Sequence, residues 1–119
     1  MNIKIYMECG SPEAATDFEN RIFNDIRRGR CPEWEYTEIA APNESMKPVI
    51  FHRVSSGRYR EDGDICFGTY IDGNILKITS GLLANWCATP SPEQQQADFG
   101  PLVSLLLRYR PYYKSLTIA

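Results

Sequence analysis

The sequence has little of what most catalytic and metal centres require. It contains one histidine, His52, and four cysteines that lie far apart in the chain. A single histidine excludes zinc sites with two or three histidine ligands, and no Cys-x-x-Cys unit brings two thiolates to one ion. The Gly-x-Ser-x-Gly and Gly-x-x-x-x-Gly-Lys motifs of serine hydrolases and phosphate-binding loops are also missing. We therefore expect no metal and no cofactor.

Long apolar runs are missing as well. The three leucines at 105–107 are the longest such run near one end, whereas a membrane span needs roughly 20 apolar residues. No secretory signal is visible at residues 1–8, so we expect a cytoplasmic protein without membrane contact. In that compartment the cysteines stay reduced and act as small buried hydrophobes. Cys9 precedes an expected helix start, where the helix dipole would lower the pKa of its thiol.

Neither charge sign dominates. Thirteen lysines and arginines stand against 15 aspartates and glutamates, for a formal net charge of -2. This balance excludes a globally basic nucleic-acid binder. The 119 residues, 43% of them hydrophobic and 24% charged, fit a single globular domain over residues 1–119.

Periodicity and turn residues predict the secondary structure. Residues 2–7 alternate like a strand, and Ser11 and Pro12 then begin a helix that stops at Gly29. Further strands are expected at residues 34–37, 49–54, 65–71, 74–79 and 112–118. Asp72 and Gly73 predict a type I′ hairpin turn. A second helix is expected from Pro92, with an interruption at residues 100–101 before it continues to residue 110.

The order of these elements is β-α-β-β-β-β-α-β. It predicts an α+β fold, with a mainly antiparallel sheet of about five to six strands and two helices on one face.

The most distinctive charge pattern lies between residues 31 and 46, which contain four acids and no lysine or arginine. The residues that would form a partner-binding surface here are Glu33, Trp34, Glu35, Tyr36 and Glu38. Tryptophan and tyrosine often anchor interfaces, and surrounding acids steer a basic partner. An equally weighted interpretation is an amphipathic edge strand, whose aromatic side chains lie in the core and whose acids are solvated.

A catalytic alternative uses the single histidine. The residues that could form a ribonuclease-like site are His52, Arg53, Arg58, Tyr59 and Glu61. Such chemistry needs a proton acceptor, a proton donor and cations that stabilise phosphate, and these residue types occur within one short span. A lone histidine in a strand is more often structural.

A third hypothesis is nucleic-acid binding through Arg-Tyr-Arg, which occurs at residues 58–60 and 108–110. The second copy is also explained by arginines that favour a helix C-terminus, so nucleic acid is disfavoured as a partner.

Together these patterns favour binding over catalysis. The sequence predicts a small inhibitor or immunity-type protein that neutralises a macromolecular partner, for example a bacterial nuclease toxin. Its partner would be a protein with a basic surface, contacted by the acidic and aromatic residues around Trp34. Asp62 and Asp64 would extend the acidic surface. The alternative is a nucleic-acid-processing enzyme that uses His52 and residues 53–61.

Overall fold

A computed structural model describes residues 4–37, 49–52, 65–82 and 91–119. The elements, in chain order, are β1 (Lys4–Glu8), α1 (Pro12–Arg27), β2 (Trp34–Thr37), β3 (Val49–His52), β4 (Ile65–Asp72), β5 (Ile75–Leu82), α2 (Pro92–Leu107), a short 3-10 helix (Arg110–Tyr112) and β6 (Ser115–Ile118). The predicted α+β class and element order are confirmed.

The described strands form one antiparallel six-stranded sheet in the order β2-β3-β4-β5-β1-β6. The strands β2 and β6 are therefore its two edges. Of the helices in the described ranges, none is long and apolar enough to cross a membrane.

The core lies between one face of the sheet and the two helices. Strand alternation turns Ile5 and Met7 of β1 inward, and their register partners Ile78 and Leu76 on β5 are buried on the same face. Both helices contribute to this one core. Their buried apolar side chains are Ala15, Phe18, Ile22, Phe23 and Ile26 from α1, and Leu102, Leu105 and Leu106 from α2.

The start of α1 follows the predicted capping pattern. The Ser11 hydroxyl accepts a hydrogen bond from the Ala14 N–H at 3.1 Å, and Pro12 begins the helix. Gly10 precedes this cap with a φ of +94°, a backbone conformation that favours glycine. A Cβ atom placed on Gly10 would lie only 3.1 Å from Cε of Lys114. The turn into α1 is therefore packed against the segment that leads into β6.

Two local predictions are wrong. The hairpin register pairs Asp72 with Ile75, so the central turn residues are Gly73 and Asn74. Of these two turn residues, only Gly73 has a positive φ, of +59°, and this matches a type II′ turn rather than type I′. In addition, α2 continues through Pro101 without interruption and ends at Leu107. Burial of the leucines that follow Pro101 offsets the hydrogen bond that proline cannot make.

Candidate functional site

The β2 edge holds the predicted acidic and aromatic residues. Trp34 has only 3% of its side chain exposed, and its ring lies 6.0 Å from that of Phe67 on β4. Strand alternation places Trp34 on the sheet face that the helices cover. Its indole is therefore part of the core and not an exposed anchor, as in the edge-strand interpretation of this segment.

Tyr36 lies on the same face but is only partly covered. Its ring packs edge-on against Phe23 of α1 at 5.7 Å between centroids. The guanidinium carbon of Arg27 lies 4.5 Å from the centre of the Tyr36 ring, a cation-π geometry. These contacts attach β2 to the C-terminal end of α1 and leave part of the phenol ring at the surface.

The acids of β2 are accessible. Glu33, just before the strand, is exposed, and Glu35 is half-buried on the face opposite to Trp34. We call Glu33, Glu35 and Tyr36 the acidic edge. Three other residues predicted for this surface, Glu38, Asp62 and Asp64, lie outside the described residues.

The catalytic alternative rests mainly on residues beyond the described ranges. His52 ends β3, and its backbone is the register partner of Trp34. The residues that would complete the ribonuclease-like site, Arg53, Arg58, Tyr59 and Glu61, lie outside the described residues. Within the part of the chain that the structure describes, no group of three or more His, Cys, Asp or Glu side chains is arranged to hold a metal ion.

A buried polar cluster links α1 to the turn that follows α2, and no pattern in the sequence predicts it. The Tyr109 hydroxyl donates a hydrogen bond to Oδ2 of Asp25 at 2.8 Å, and Sγ of Cys31 lies 3.7 Å from the same hydroxyl. Asp25 also pairs with Arg21 at 3.3 Å and with Arg30 at 3.6 Å. Burial, and then the bond to Asp25, raise the pKa of Tyr109.

This cluster is a structural link rather than an accessible site. Asp25 is only 8% exposed, and Tyr109 and Cys31 are also buried. Two arginines and a hydroxyl compensate the buried carboxylate, as such a group requires. Because Tyr109 is occupied in this way, the Arg-Tyr-Arg segment at 108–110 does not offer its tyrosine for stacking on a base. The segment at 58–60 lies outside the described residues.

The described cysteines are free thiols, and all three are buried, as the sequence predicted. Burial raises the pKa of the Cys66 thiol to about 12. Burial also raises the pKa of the Cys9 thiol, and its Sγ donates to the Met7 carbonyl at 3.5 Å. The expected lowering of the pKa at Cys9 is therefore wrong, because desolvation outweighs the lowering effect of the backbone hydrogen bond with Leu76. Cys87 lies outside the described residues.

On the sheet face opposite the helices, the Lys77 side chain contacts two aromatic rings and a carboxylate. Nζ of Lys77 on β5 lies 5.5 Å from the ring centre of Tyr6 and 5.1 Å from that of Tyr70. It also pairs with Asp72 at 2.9 Å. Hydrogen bonds to Asp72 and then Tyr70 raise the pKa of Lys77. Since both rings and the carboxylate already engage this amine, the group stabilises the sheet surface.

A groove lies beside β6, at the end of the sheet opposite to the acidic edge. It has a volume of about 360 Å³, within the broad range of ligand pockets. The side chains that line it include Val103, Leu107, Arg110, Tyr113, Lys114 and Leu116. The sequence showed the cations and tyrosines of this segment. It did not show the groove, because the groove forms only when the end of α2 lies beside β6.

Comparison with known proteins assigns no function to the acidic edge or to the groove beside β6. No family model matches the chain, and neither the curated proteins nor the solved structures contain a significant match.

Proposed function

We propose that this protein is a small binding protein of the inhibitor or immunity type, which neutralises a macromolecular partner through its acidic edge. The observation that carries the proposal is the position of Glu33 and Glu35 at an edge strand of the sheet. Glu33 is exposed and Glu35 half-buried, so both carboxylates are in reach of a partner. An edge strand is also accessible to another molecule along its length.

The charge pattern indicates a partner with a basic surface. Carboxylates grouped on one edge raise the association rate with a cationic protein and disfavour an acidic one. Tyr36 supplies a partly exposed ring on the same strand, on the sheet face opposite to Glu35, and its contacts with Phe23 and Arg27 hold the ring in place. Tyrosine fixed in this way loses little conformational entropy when it is covered.

Burial of Trp34 changes the mechanism that the sequence suggested. The indole would stabilise the strand from within, while the acids and the Tyr36 ring make the contact. A toxin whose basic cleft binds phosphate is one partner of this chemistry, because glutamates can occupy such a cleft in place of phosphate. The three described cysteines are free thiols, which supports action in the cytoplasm.

The test is co-purification of a tagged chain from its native host. The wild-type chain should recover a basic protein, and the double variant Glu33→Lys with Glu35→Lys should lose it. The matched control is Glu13→Lys with Asp17→Lys, which makes the same charge change on exposed residues of α1. Retention of the partner by the β2 variant would contradict the proposed surface.

A nuclease assay separates binding from catalysis. The purified chain should leave RNA and DNA intact under conditions in which the recovered partner is active. Cleavage by the wild-type chain that disappears in His52→Ala would overturn the binding proposal in favour of an enzyme.

A further inference from the structure

We infer that the β6 edge is a second docking surface, which takes an extended acidic peptide segment as a seventh strand of the sheet. This inference concerns the opposite end of the sheet from the acidic edge, and it stands independently of the proposed function. Three observations carry it: one side of β6 has no strand beside it in the described sheet, Leu107 and Leu116 line a groove there, and two cations of that groove form no ion pair with another described residue.

The backbone of β6 has one side bonded and one side open. The Ala119 N–H donates to the Lys4 carbonyl at 2.9 Å, and the register pairs Thr117 with Tyr6. Hydrogen bonding alternates along an antiparallel strand. The N–H and C=O groups of Leu116 and Ile118 therefore point away from β1, and in the described sheet no strand lies beyond β6. Such groups are a template for another strand.

Apolar side chains line the same edge. Leu116 and Ile118 are the register partners of Met7 and Ile5, so they lie on the helix side of the sheet. Ile118 is 49% exposed and Leu107, at the end of α2, is 45% exposed. Alternate side chains of an added strand would lie beside Leu116 and Ile118, facing the groove that Leu107 also lines.

The charges select the occupant. Arg110 and Lys114 line the groove near the start of β6, both are exposed, and within the described ranges neither forms an ion pair. A second copy of this edge offers these cations no carboxylate side chain, because residues 115–119 contain no aspartate or glutamate, and this disfavours a second copy of the chain. An incoming strand with aspartate or glutamate at its ends would pair with them instead. The fitting ligand is therefore an extended peptide with alternating apolar residues and acidic ends.

The test uses a fluorescein-labelled peptide of sequence Asp-Glu-Val-Thr-Ile-Thr-Val-Asp-Glu and the wild-type chain. Fluorescence anisotropy should show saturable binding, and the same peptide with lysines in place of its acids should bind at least about tenfold more weakly. Amide exchange at Leu116 and Ile118 should slow more than at Thr117, whose backbone is already bonded to β1. Absence of binding up to about 1 mM peptide would overturn the inference.

Charge reversal gives the sharpest variant. Arg110→Glu with Lys114→Glu should weaken the acidic peptide by about tenfold or more and strengthen the lysine peptide. The matched control uses single variants: Lys114→Glu at the groove, and Arg28→Glu at an exposed arginine that follows α1, roughly 24 Å from the start of that helix. Equal loss in these two single variants would mean that net charge alone drives binding, and would overturn the site.

A backbone variant tests strand addition itself. Ile118→Pro removes an outward N–H while the β1 bonds of Thr117 and Ala119 remain, and edge strands tolerate such a proline. It should abolish peptide binding, whereas Ile118→Ala should retain most of it, with circular dichroism confirming that both variants fold. Peptide binding that survives Ile118→Pro would overturn strand addition. Light scattering should show a monomer, and a dimer lost in Ile118→Pro would overturn the choice of occupant.

Discussion

The two edges of the sheet differ in where their large apolar side chains lie. At β2 the large side chain turns inward, so that Trp34 is 3% exposed while the acids remain outside. At β6 large apolar side chains remain outside, with Ile118 49% exposed, and cations flank them. The β2 edge thus offers charge on a strand fixed to the core, whereas the β6 edge offers apolar surface and open backbone groups.

The difference comes from how the helices cover the sheet. The C-terminal half of α1 packs on β2 through Phe23 and Tyr36. The segment before β6 contacts the end of α2 through the Tyr113 hydroxyl, which donates to the Leu106 carbonyl at 3.0 Å. Its Tyr112 and Tyr113 rings pack on Phe18, in the first half of α1. An edge covered by a helix can hide its aromatic residues, and an edge beside a helix end leaves a groove.

The largest effect that distinguishes the edges should be on stability. Trp34→Ala is expected to lower the free energy of unfolding by about 3–5 kcal/mol, because it empties a core site against Phe67. Leu107→Ala at the β6 groove should change it by less than about 0.5 kcal/mol, since the side chain is 45% exposed. Urea denaturation followed by fluorescence or circular dichroism measures both. Similar losses in the two variants would break the distinction between a buried and an open edge.

A smaller effect is expected at the link between the helices that lead to the two edges. Tyr109→Phe leaves the ring in place but removes the hydroxyl that bonds Asp25 at 2.8 Å. We expect a loss of about 1–3 kcal/mol, because a buried carboxylate loses a partner. Tyr112→Phe is the matched control on an exposed tyrosine of the same segment. A loss no greater than that of the control in urea unfolding would show that Arg21 and Arg30 satisfy Asp25 on their own.

The smallest expected effect concerns the middle of the molecule, away from both edges. Glu19 of α1 accepts a hydrogen bond from the Thr69 hydroxyl at 2.9 Å, and burial raises the pKa of its carboxyl. The folded pKa thus lies above the unfolded one. The resulting stability is fully present below the unfolded pKa and is lost as the pH rises through the folded pKa.

Two variants test this pH dependence in opposite directions. Glu19→Gln should remove the loss above about pH 4.5, the ordinary value for this group. Thr69→Val should make the loss larger, because the Thr69 hydroxyl favours the ionised carboxyl. The measurement is urea unfolding from about pH 4 to pH 8. Parallel stability curves for wild type and Glu19→Gln would refute the assignment.

Local signals in the sequence predicted the backbone well where they acted alone. Ser11 and Pro12 mark the start of α1, and the two β-type runs at residues 65–71 and 74–79 correspond to the strands of the central hairpin. The prediction was wrong where tertiary contacts decide. Pro101 was expected to interrupt α2, but the buried leucines after it keep the helix continuous. Burial of such side chains outweighs the local cost of proline and is invisible to periodicity alone.

The candidate surfaces were predictable only in part. Charge counting located the acids Glu33 and Glu35, but it could not decide whether Trp34 faces a partner or the core, because both faces of an edge strand fit the same alternation. The Asp25–Tyr109 bond joins residues 84 positions apart. No sequence signal marks such a pair, since Asp25 also fits an exposed position of α1 and Tyr109 also fits the apolar stripe that continues from α2.

Gly10 has a consequence for how freely this chain can change. Its φ of +94° favours glycine, and a Cβ atom placed here would lie only 3.1 Å from Cε of Lys114. Glycine therefore meets two separate requirements, one on backbone conformation and one on space. Gly29 also has a positive φ, of +75°, but among the described atoms none lies within 4 Å of a Cβ placed there. Position 29 therefore restricts mutation only through backbone conformation. At position 10 a substitution would also displace a cation of the β6 groove, so mutational tolerance in the turn before α1 is tied to the other end of the sequence.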